Sequence, residues 1–392
     1  MGDQLTNVPP PGTPVNGRTV RFEWLRLVSA LLVVVCHFAA LYAAVFHVFD
    51  VDSATFNSAP SAVTTALTAL YFQFHGAYVF FAISGFVITR PWFATAQTPA
   101  ATSFLGRRAF RLLPAATVAI IAVAYFDFYQ LNFRQVELAT LLQNLLYLNW
   151  LPPYAAPPIL IVTWTLAVEW LFYLAAPFVA SVLVRLQRPI LAVVVLAILL
   201  SIALRTISPN AYAYPLYFAA GIAIAIWRSV RQGGTGIDRS LLLLVGGGLA
   251  ILAASLVYAS QAPISWRPVQ WAWRPFDTFV VMHLVGTVAL LLWASNPAST
   301  DAGERKILTK LPTLTYSIYL WHLPACMLVF AAVATIAAPA AKMPELARLP
   351  ILLAVAVLLT LALSVLSYLI AERPYFRWKQ RQSLPITPAE AA

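Results

Sequence analysis

The sequence has 392 residues, of which 61% are hydrophobic and only 10% are charged. Soluble globular proteins contain about 45–50% apolar and about 25% charged residues, so this composition excludes a water-soluble domain. A net charge of +11 would suggest a nucleic-acid partner in a soluble protein. In membrane proteins, however, basic residues concentrate in cytoplasmic loops whatever the function, so we expect a membrane protein with no nucleic-acid partner.

Apolar segments of about 20 residues are long enough to cross a bilayer, and the sequence contains about ten of them. In chain order they are 24–46, 68–90, 109–127, 163–184, 189–206, 213–229, 240–258, 277–294, 314–336 and 350–371. The predicted fold class is therefore all-α, an integral membrane bundle of about ten transmembrane helices. The apolar stretch 138–150 is too short for a crossing, which favours an interfacial or re-entrant segment.

The two ends of the sequence are polar and predict tails on either side of the bundle. Residues 1–20 are rich in proline and glycine and are predicted to form a disordered N-terminal tail. The transmembrane domain is predicted over 21–378, followed by a C-terminal tail over 379–392. Lysine and arginine are concentrated in alternate loops, which predicts that both tails are cytoplasmic. Cys36 and Cys326 lie in apolar segments without metal-ligand spacing, so we expect buried thiols and no metal.

Arg26 and His37 lie on the first predicted helix, with ten residues between them. Eleven helical steps of about 100° return to nearly the same face and place the two residues about 16 Å apart along the axis. Ionisable residues inside a membrane are costly and are therefore candidates for function. An anchoring arginine and a hydrogen-bonded core histidine are the alternative interpretation.

Glu169 lies in the fourth predicted helix, which enters the membrane from the outer side. It is expected about 8–10 Å below the outer surface, close to the depth expected for His37. A carboxylate beside a histidine orients the ring and raises its basicity. We therefore expect Glu169 to assist His37, and a buried structural ion pair is the alternative.

A basic cluster precedes and opens the third predicted helix, in the sequence FLGRRAFRLLP. Arg107, Arg108 and Arg111 lie in it, and Arg108 and Arg111 are i, i+3 neighbours that share one helix face. Guanidinium groups are planar, permanently charged and multidentate, which suits phosphate recognition. Anchoring of the helix at the cytoplasmic surface is the alternative.

Further polar side chains lie inside predicted spans. Tyr319 and His322 lie on roughly one face of the ninth helix, together with Tyr316, and Ser84 precedes a glycine in the second. We assign Ser84, Tyr319 and His322 to oxyanion stabilisation or acceptor binding, with helix packing as the alternative. The remaining buried ionisable residues are interpreted as structural or pathway residues: His75, Asp277 and His283.

Six stretches occur in an order that is specific when they are taken together. They are Arg26-x10-His37, GAYVFFAISGFVI at 76–88, Arg108-x-x-Arg111, WTLAVEWLFYLAAP at 164–177, TYSIYLWHLP at 315–324 and ERPYFRW at 372–378. With them, nearly the whole chain resembles the membrane-bound acyltransferase family three, the O-acetyltransferase group that modifies bacterial surface sugars, antibiotics and lipids. The sequence departs from the family pattern at Ala167, where serine is common, and at Trp170, where a second acidic residue is common. Glu169 is therefore the only carboxylate of its motif.

The resemblance implies a ten-span bundle in the bacterial inner membrane that uses cytoplasmic acyl-CoA, with acetyl-CoA as the expected donor and no metal. His37 would be the catalytic histidine and Arg26 its motif partner. Arg108 and Arg111 would form the basic motif associated with the acyl donor. The hydrolase-like outer domain of some members has no counterpart here, so transfer within the bundle is expected.

The sequence leaves the acceptor and the reaction route open. A hydroxyl of a sugar, a glycolipid or a macrolide-like molecule would fit, and His37 could act as a general base or form an acyl-histidine. A function from another class, a proton-coupled transporter with His37 and Glu169 as a relay, is also open. A transporter would not consume acyl-CoA, and that difference separates the two classes.

Overall fold

The computed structural model describes residues 20–50, 55–56, 62–71, 76–94, 100–126, 137–148, 158–207, 211–230, 246–254, 275–295, 311–336 and 343–382. Its helices are α1 (Val20–Val45), α2 (Ala62–Tyr71), α3 (Gly76–Ala94), α4 (Ala101–Phe126), α5 (Leu138–Leu145), α6 (Thr163–Leu183), α7 (Pro189–Ile207), α8 (Ala213–Val230), α9 (Pro275–Ala294), α10 (Thr315–Ile336), α11 (Glu345–Ser367) and α12 (Arg373–Gln382). A π-helical turn over Tyr368–Glu372 joins α11 to α12, and the 3-10 turn Leu311–Leu314 precedes α10. A short antiparallel pair links β1 (Phe49–Asp50) to β2 (Thr55–Phe56).

Nine helices among the described residues are long and apolar enough to cross a membrane. They correspond to nine of the ten predicted spans and confirm the all-α integral membrane fold. An α-helix satisfies every backbone hydrogen bond within its own segment, which lipid cannot do, so long apolar segments become helices. The predicted span 240–258 lies largely outside the described residues, and its described part, 246–254, is helical.

Three helix boundaries differ from the sequence prediction. Within the span predicted at 68–90, the crossing helix is α3, which begins at Gly76, and the described part of α2 extends to Tyr71. The third crossing begins at Ala101 instead of 109, because helix formation extends into the polar flank, where hydropathy gives no signal. The last crossing continues through the π-helical turn and α12. His75 lies outside the described residues.

The stretch 138–150 is not a crossing, as its length predicted. Its described part forms the eight-residue helix α5, which at about 12 Å is too short to span a bilayer. The Asn144 side chain accepts a hydrogen bond from the Ile159 backbone at 2.9 Å and donates one to Thr140 O at 2.9 Å. These bonds fasten α5 to the segment that leads into α6.

The helices divide into a buried centre and a lipid-facing periphery. In α3, 72% of the crossing residues are buried, whereas in α7 only 17% are, so α3 is central and α7 peripheral. The outward side chains of α7 are large and apolar, as lipid contact requires: they include Leu191, Val195 and Leu199. Cys36 and Cys326 are buried thiols, as predicted.

Two glycines allow α3 and α8 to pack backbone against backbone. A Cβ atom added to Gly221 would lie 2.0 Å from Ala82 O, and one added to Gly85 would lie 2.3 Å from Phe218 O. Small residues drive helix association in membranes because close approach increases van der Waals contact. Gly85 is adjacent to Ser84, so this contact also fixes the position of that hydroxyl.

Gly221→Ala should therefore destabilise the bundle, since the added methyl group forces α3 and α8 apart. Overpacking typically costs about 1–3 kcal/mol, which predicts a clearly lower midpoint of thermal unfolding in detergent. Gly106→Ala is the matched control, because no atom lies within 4 Å of a Cβ added there. Equal unfolding midpoints for the two variants would contradict this packing.

Candidate active site

Two histidines from different helices meet inside the bundle. His37 on α1 and His322 on α10 have ring centroids 5.0 Å apart, and His37 Nδ1 lies 3.2 Å from His322 Nε2. His322 is completely buried, whereas His37 is partly accessible. His37 is therefore the more exposed member of the pair.

The hydrogen bonds define which nitrogen of each neutral ring carries the proton. A carbonyl oxygen only accepts, so His322 Nδ1, 2.7 Å from Tyr319 O, is the protonated atom, and its Nε2 is an acceptor. His37 Nδ1 lies 2.9 Å from Val33 O as well as near His322 Nε2, so it carries the proton and donates to both. The Nε2 atom of a neutral His37 ring therefore keeps its lone pair and is the atom able to act as a base.

Glu169 does not contact His37 in the structure, contrary to the arrangement expected from sequence. The Ser84 and Tyr173 hydroxyls both donate to Glu169 Oε1. The start of α6 is buried inside the bundle: Tyr319 on α10 reaches Thr165 Oγ1, at 2.5 Å, near the first residue of α6. Glu169 is therefore offset from His322 by about 10 Å along the bundle axis: three residues separate His322 from Tyr319 on α10, and four separate Thr165 from Glu169 on α6.

Tyr319 lies between the two histidines and the Glu169 group. Its ring centroid is 5.7 Å from that of His322, and its hydroxyl donates to Val162 O at 3.1 Å. The polar hydrogens of Ser84, Tyr319 and His322 Nδ1 are thus directed at protein acceptors in this structure. Their roles at the oxyanion or the acceptor stay predictions.

The arginines collect on the same side of the site as Glu169. The Arg108 guanidinium lies 5.5 Å from the centroids of both the Phe104 and Tyr173 rings, within electrostatic range of Arg26, Arg111 and Glu169. Within the described part of the chain, none of these three arginines forms a salt bridge with a carboxylate. Arg107 differs from them, because it is exposed and bonds to Ser103. The cluster has a surplus of positive charge, as an anion-binding site requires.

α1 connects the two parts of the site. It is unbroken over Val20–Val45, so Arg26 and His37 lie on one rigid helix, about 16 Å apart along its axis. The geometry combines an anion-binding cluster at one end with a histidine of defined tautomer at the other. Of the described residues, no group of three or more His, Cys, Asp or Glu side chains is placed to hold a metal ion.

Sequence reasoning assigned no role to three members of the site. Tyr173 follows Glu169 by one helical turn, and that i, i+4 spacing was a usable signal. Tyr316 was noted in sequence, but its hydroxyl donates to Leu112 O at 2.9 Å on α4. Glu372 receives a hydrogen bond from the Ser317 hydroxyl. The last two contacts join residues distant in sequence, so nothing local predicted them.

The buried groups left unassigned from sequence have partners elsewhere. Asp277 forms a salt bridge of 3.0 Å with Arg205 and accepts a hydrogen bond from Tyr212 at 2.5 Å. His283 Nδ1 lies 2.8 Å from the Tyr217 hydroxyl. These contacts fasten α7, α8 and α9 to one another, in agreement with a structural role.

A buried histidine above an arginine cluster, in a polytopic helix bundle, is an arrangement suited to group transfer inside a membrane. A family model described as an acyltransferase domain matches residues 20–369. The chain therefore belongs to the membrane-bound acyltransferase family three, and it is a membrane acyltransferase. Neither curated proteins nor solved structures gave a match.

The tautomer assignment predicts the nitrogen spectrum of the two histidines. In ¹⁵N-histidine-labelled protein in nanodiscs at neutral pH, His37 should show a protonated Nδ1 and an unprotonated Nε2. His322→Phe removes one of the two acceptors of that proton, so the population with the proton on Nε2 should rise. Cys326→Ala, one turn further along α10, is the control and should leave the spectrum unchanged. A wild-type His37 protonated on Nε2 would contradict the assignment.

Proposed function

We propose that this acyltransferase moves an acyl group, most simply acetyl, from cytoplasmic acyl-CoA to a hydroxyl of a carbohydrate-type acceptor. The observation that carries the proposal is the partly accessible His37 ring, whose lone pair is on Nε2, on the same rigid helix as an arginine of the anion-binding cluster. Acyl-CoA combines a phosphate-bearing nucleotide with a long arm that ends in a thioester. Its two ends suit the two ends of the site.

The proposed orientation places both termini in the cytoplasm and the chain in a bacterial inner membrane. The Lys/Arg bias of the loops supports this orientation. It puts Arg26, Arg108 and Arg111 on the side from which acyl-CoA arrives. Phosphates would bind these guanidinium groups, and the arm would extend along the bundle toward His37.

The chemical step uses His37 as a general base. His37 Nε2 takes the proton of the acceptor hydroxyl while the oxygen attacks the thioester carbonyl carbon. The tetrahedral intermediate collapses by breaking the carbon–sulfur bond, and the departing thiolate takes the proton from the His37 imidazolium. The products are the acylated acceptor and free CoA. Val33 O and His322 Nε2 accept from Nδ1–H throughout, which orients the ring and stabilises its transient positive charge.

Glu169 has a different task in this proposal from the one expected from sequence. Its carboxylate holds the Ser84 and Tyr173 hydroxyls, and Tyr173 in turn packs against the Arg108 guanidinium. Glu169 is therefore proposed to position the donor-binding arginine, at a distance from the proton-transfer step. A macrolide-like acceptor is the alternative to a carbohydrate, and a panel of both acceptor classes distinguishes them by release of free CoA.

His37→Ala should lower kcat by about 10²–10⁴-fold, the usual contribution of general-base catalysis, with donor affinity nearly unchanged. Purified protein in nanodiscs is given acetyl-CoA and the acceptor panel, and free CoA is followed over time. The matched control is His47→Asn, at the exposed end of the same helix, where a positive φ of 52° suits asparagine.

Combining His37→Ala with Glu169→Gln extends the same experiment. Because the two side chains are not in contact, their losses should multiply instead of saturating. Near-wild-type turnover in His37→Ala would exclude the general-base mechanism. Wild-type protein that transports protons without releasing CoA would replace the proposal with the transporter function.

Arg108→Ala should raise the KM for acetyl-CoA by about tenfold to a hundredfold, the value of a lost hydrogen bond to a charged group. Arg108→Lys should restore only part of the affinity, because a point charge cannot reproduce the guanidinium fork. Arg107→Ala is the control, since Arg107 is exposed and bonds to Ser103. Equal donor KM values in Arg107→Ala and Arg108→Ala would make the cluster a membrane anchor only.

A further inference from the structure

The Glu372 carboxyl group is buried at the π-helical turn with one oxygen satisfied and one not. Glu372 is only 1% exposed, and Ser317 donates to its Oε1 atom. Its Oε2 atom has no hydrogen-bond partner among the described residues. A buried polar atom without a partner costs about 1–3 kcal/mol, more when it is charged, so its retention requires a reason. π-helical turns occur frequently at functional sites, which suggests where that reason lies.

An unpaired donor complements this unpaired acceptor. Arg111 Nε is also buried without a partner in the described part of the chain. Its guanidinium lies 5.9 Å from the centre of the Phe376 ring, one helical turn after Glu372, and it interacts electrostatically with Glu372. The two groups do not form a salt bridge with each other. A third group that bonds to both would satisfy both atoms.

The missing group must offer a donor toward Glu372 and an acceptor toward Arg111. Glu372 Oε2 accepts, and Arg111 Nε–H donates. A fully ionised phosphate offers acceptors only, so it would suit Arg111 and repel Glu372. A secondary amide offers both an N–H group and a carbonyl oxygen.

The position of the pair along the bundle identifies which amide would reach it. Tyr316 bonds to Leu112, beside Arg111, and Ser317 bonds to Glu372, so both members lie at the level of Tyr316 and Ser317 on α10. That level is about 8 Å along the axis from His322. Arg26 is about twice as far from the histidine level. The pair therefore lies midway along the axis between Arg26 and the histidines.

From this placement we infer that Glu372 and Arg111 hold an amide of the pantetheine arm of acyl-CoA. The inference rests on the proposed use of acyl-CoA and adds a binding site for the part of the donor between phosphate and thioester. Glu372 Oε2 accepts from the amide N–H, and Arg111 Nε–H donates to the amide carbonyl oxygen. The arm is thereby fixed in the extended direction that leads to His37.

The test compares three donors by equilibrium binding to the full chain in nanodiscs. They are acetyl-CoA, S-acetylpantetheine, which keeps the amides and lacks the phosphates, and S-ethyl thioacetate, which lacks both. Glu372→Gln replaces the charged acceptor with a neutral amide oxygen or, in the other orientation of the amide, with an N–H donor, and either one weakens the bond to the ligand N–H. The substitution should weaken the binding of acetyl-CoA and of S-acetylpantetheine by the same factor, about tenfold to a hundredfold. The binding of S-ethyl thioacetate should not change.

Two further variants separate this site from others. Arg108→Ala should weaken the binding of acetyl-CoA and leave that of S-acetylpantetheine unchanged, because only acetyl-CoA has phosphates. Glu345→Gln, at the opposite end of α11, is the matched control and should alter the affinity for neither donor. Because Glu372→Gln keeps the size of the side chain and removes an unpaired charge, its unfolding midpoint should not fall below that of the wild type.

The outcomes distinguish the inference from the function on which it rests. Wild-type binding of acetyl-CoA that is unaffected by Glu372→Gln would overturn the amide site and leave the donor assignment intact. If Glu372→Gln weakened the binding of acetyl-CoA but not that of S-acetylpantetheine, the amide site would also be overturned, because Glu372 would then contact the nucleotide. Wild-type protein that binds neither acetyl-CoA nor S-acetylpantetheine would overturn the proposed function and the amide site together.

Discussion

Lipid offers no hydrogen bonds, and that constraint organises the whole bundle. Each polar side chain within a span must find a partner inside the protein, so the polar groups of different helices converge. Most do so completely: Asp277 meets Arg205, and Glu169 meets Ser84 and Tyr173. Arg111 Nε and Glu372 Oε2 have no hydrogen-bond partner in the described chain, and they are therefore exceptions among the buried polar atoms.

The polar groups on α1, α4, α6 and α10 form a site in two parts with different chemistry. One part is neutral and defined by hydrogen bonds between His37, His322 and backbone carbonyls. The other is cationic and contains the arginines near Glu169. Separating them along the axis lets one long substrate place its charge far from its reacting group. Under the proposed function, the base works in a site free of the donor's phosphates, whose negative charge would otherwise bias proton transfer.

Close packing of helices maintains this arrangement. Gly85 and Gly221 bring α3 onto α8 at backbone contact, which fixes Ser84 and, through it, the Glu169 carboxylate. The bond between Asn144 and Ile159 fastens α5 to the entrance of α6. α6 consequently begins inside the bundle, and its depth determines which residues Glu169 can reach.

Much of the fold could be predicted from sequence, because hydropathy and helix period report directly on burial in a membrane. The crossing helices and the shared face of Arg26 and His37 follow from those two signals. The partner of His37 did not, because a depth estimate does not report how the helices pack, and the start of α6 is buried inside the bundle. Glu372 was recognised in sequence only as the first residue of ERPYFRW, since its contacts depend on a π-helical turn and on residues of α4 and α10 that are distant in sequence.

The central claim is that one substrate joins the arginine cluster to His37. A cryo-electron microscopy structure of the protein in nanodiscs with a non-hydrolysable thioether analogue of acetyl-CoA tests it directly. The account predicts phosphates on Arg108 and Arg26 and the acyl carbonyl carbon about 3–4 Å from the acceptor position beside His37 Nε2. An analogue whose acyl group lies away from His37, for example beside His283, would contradict it.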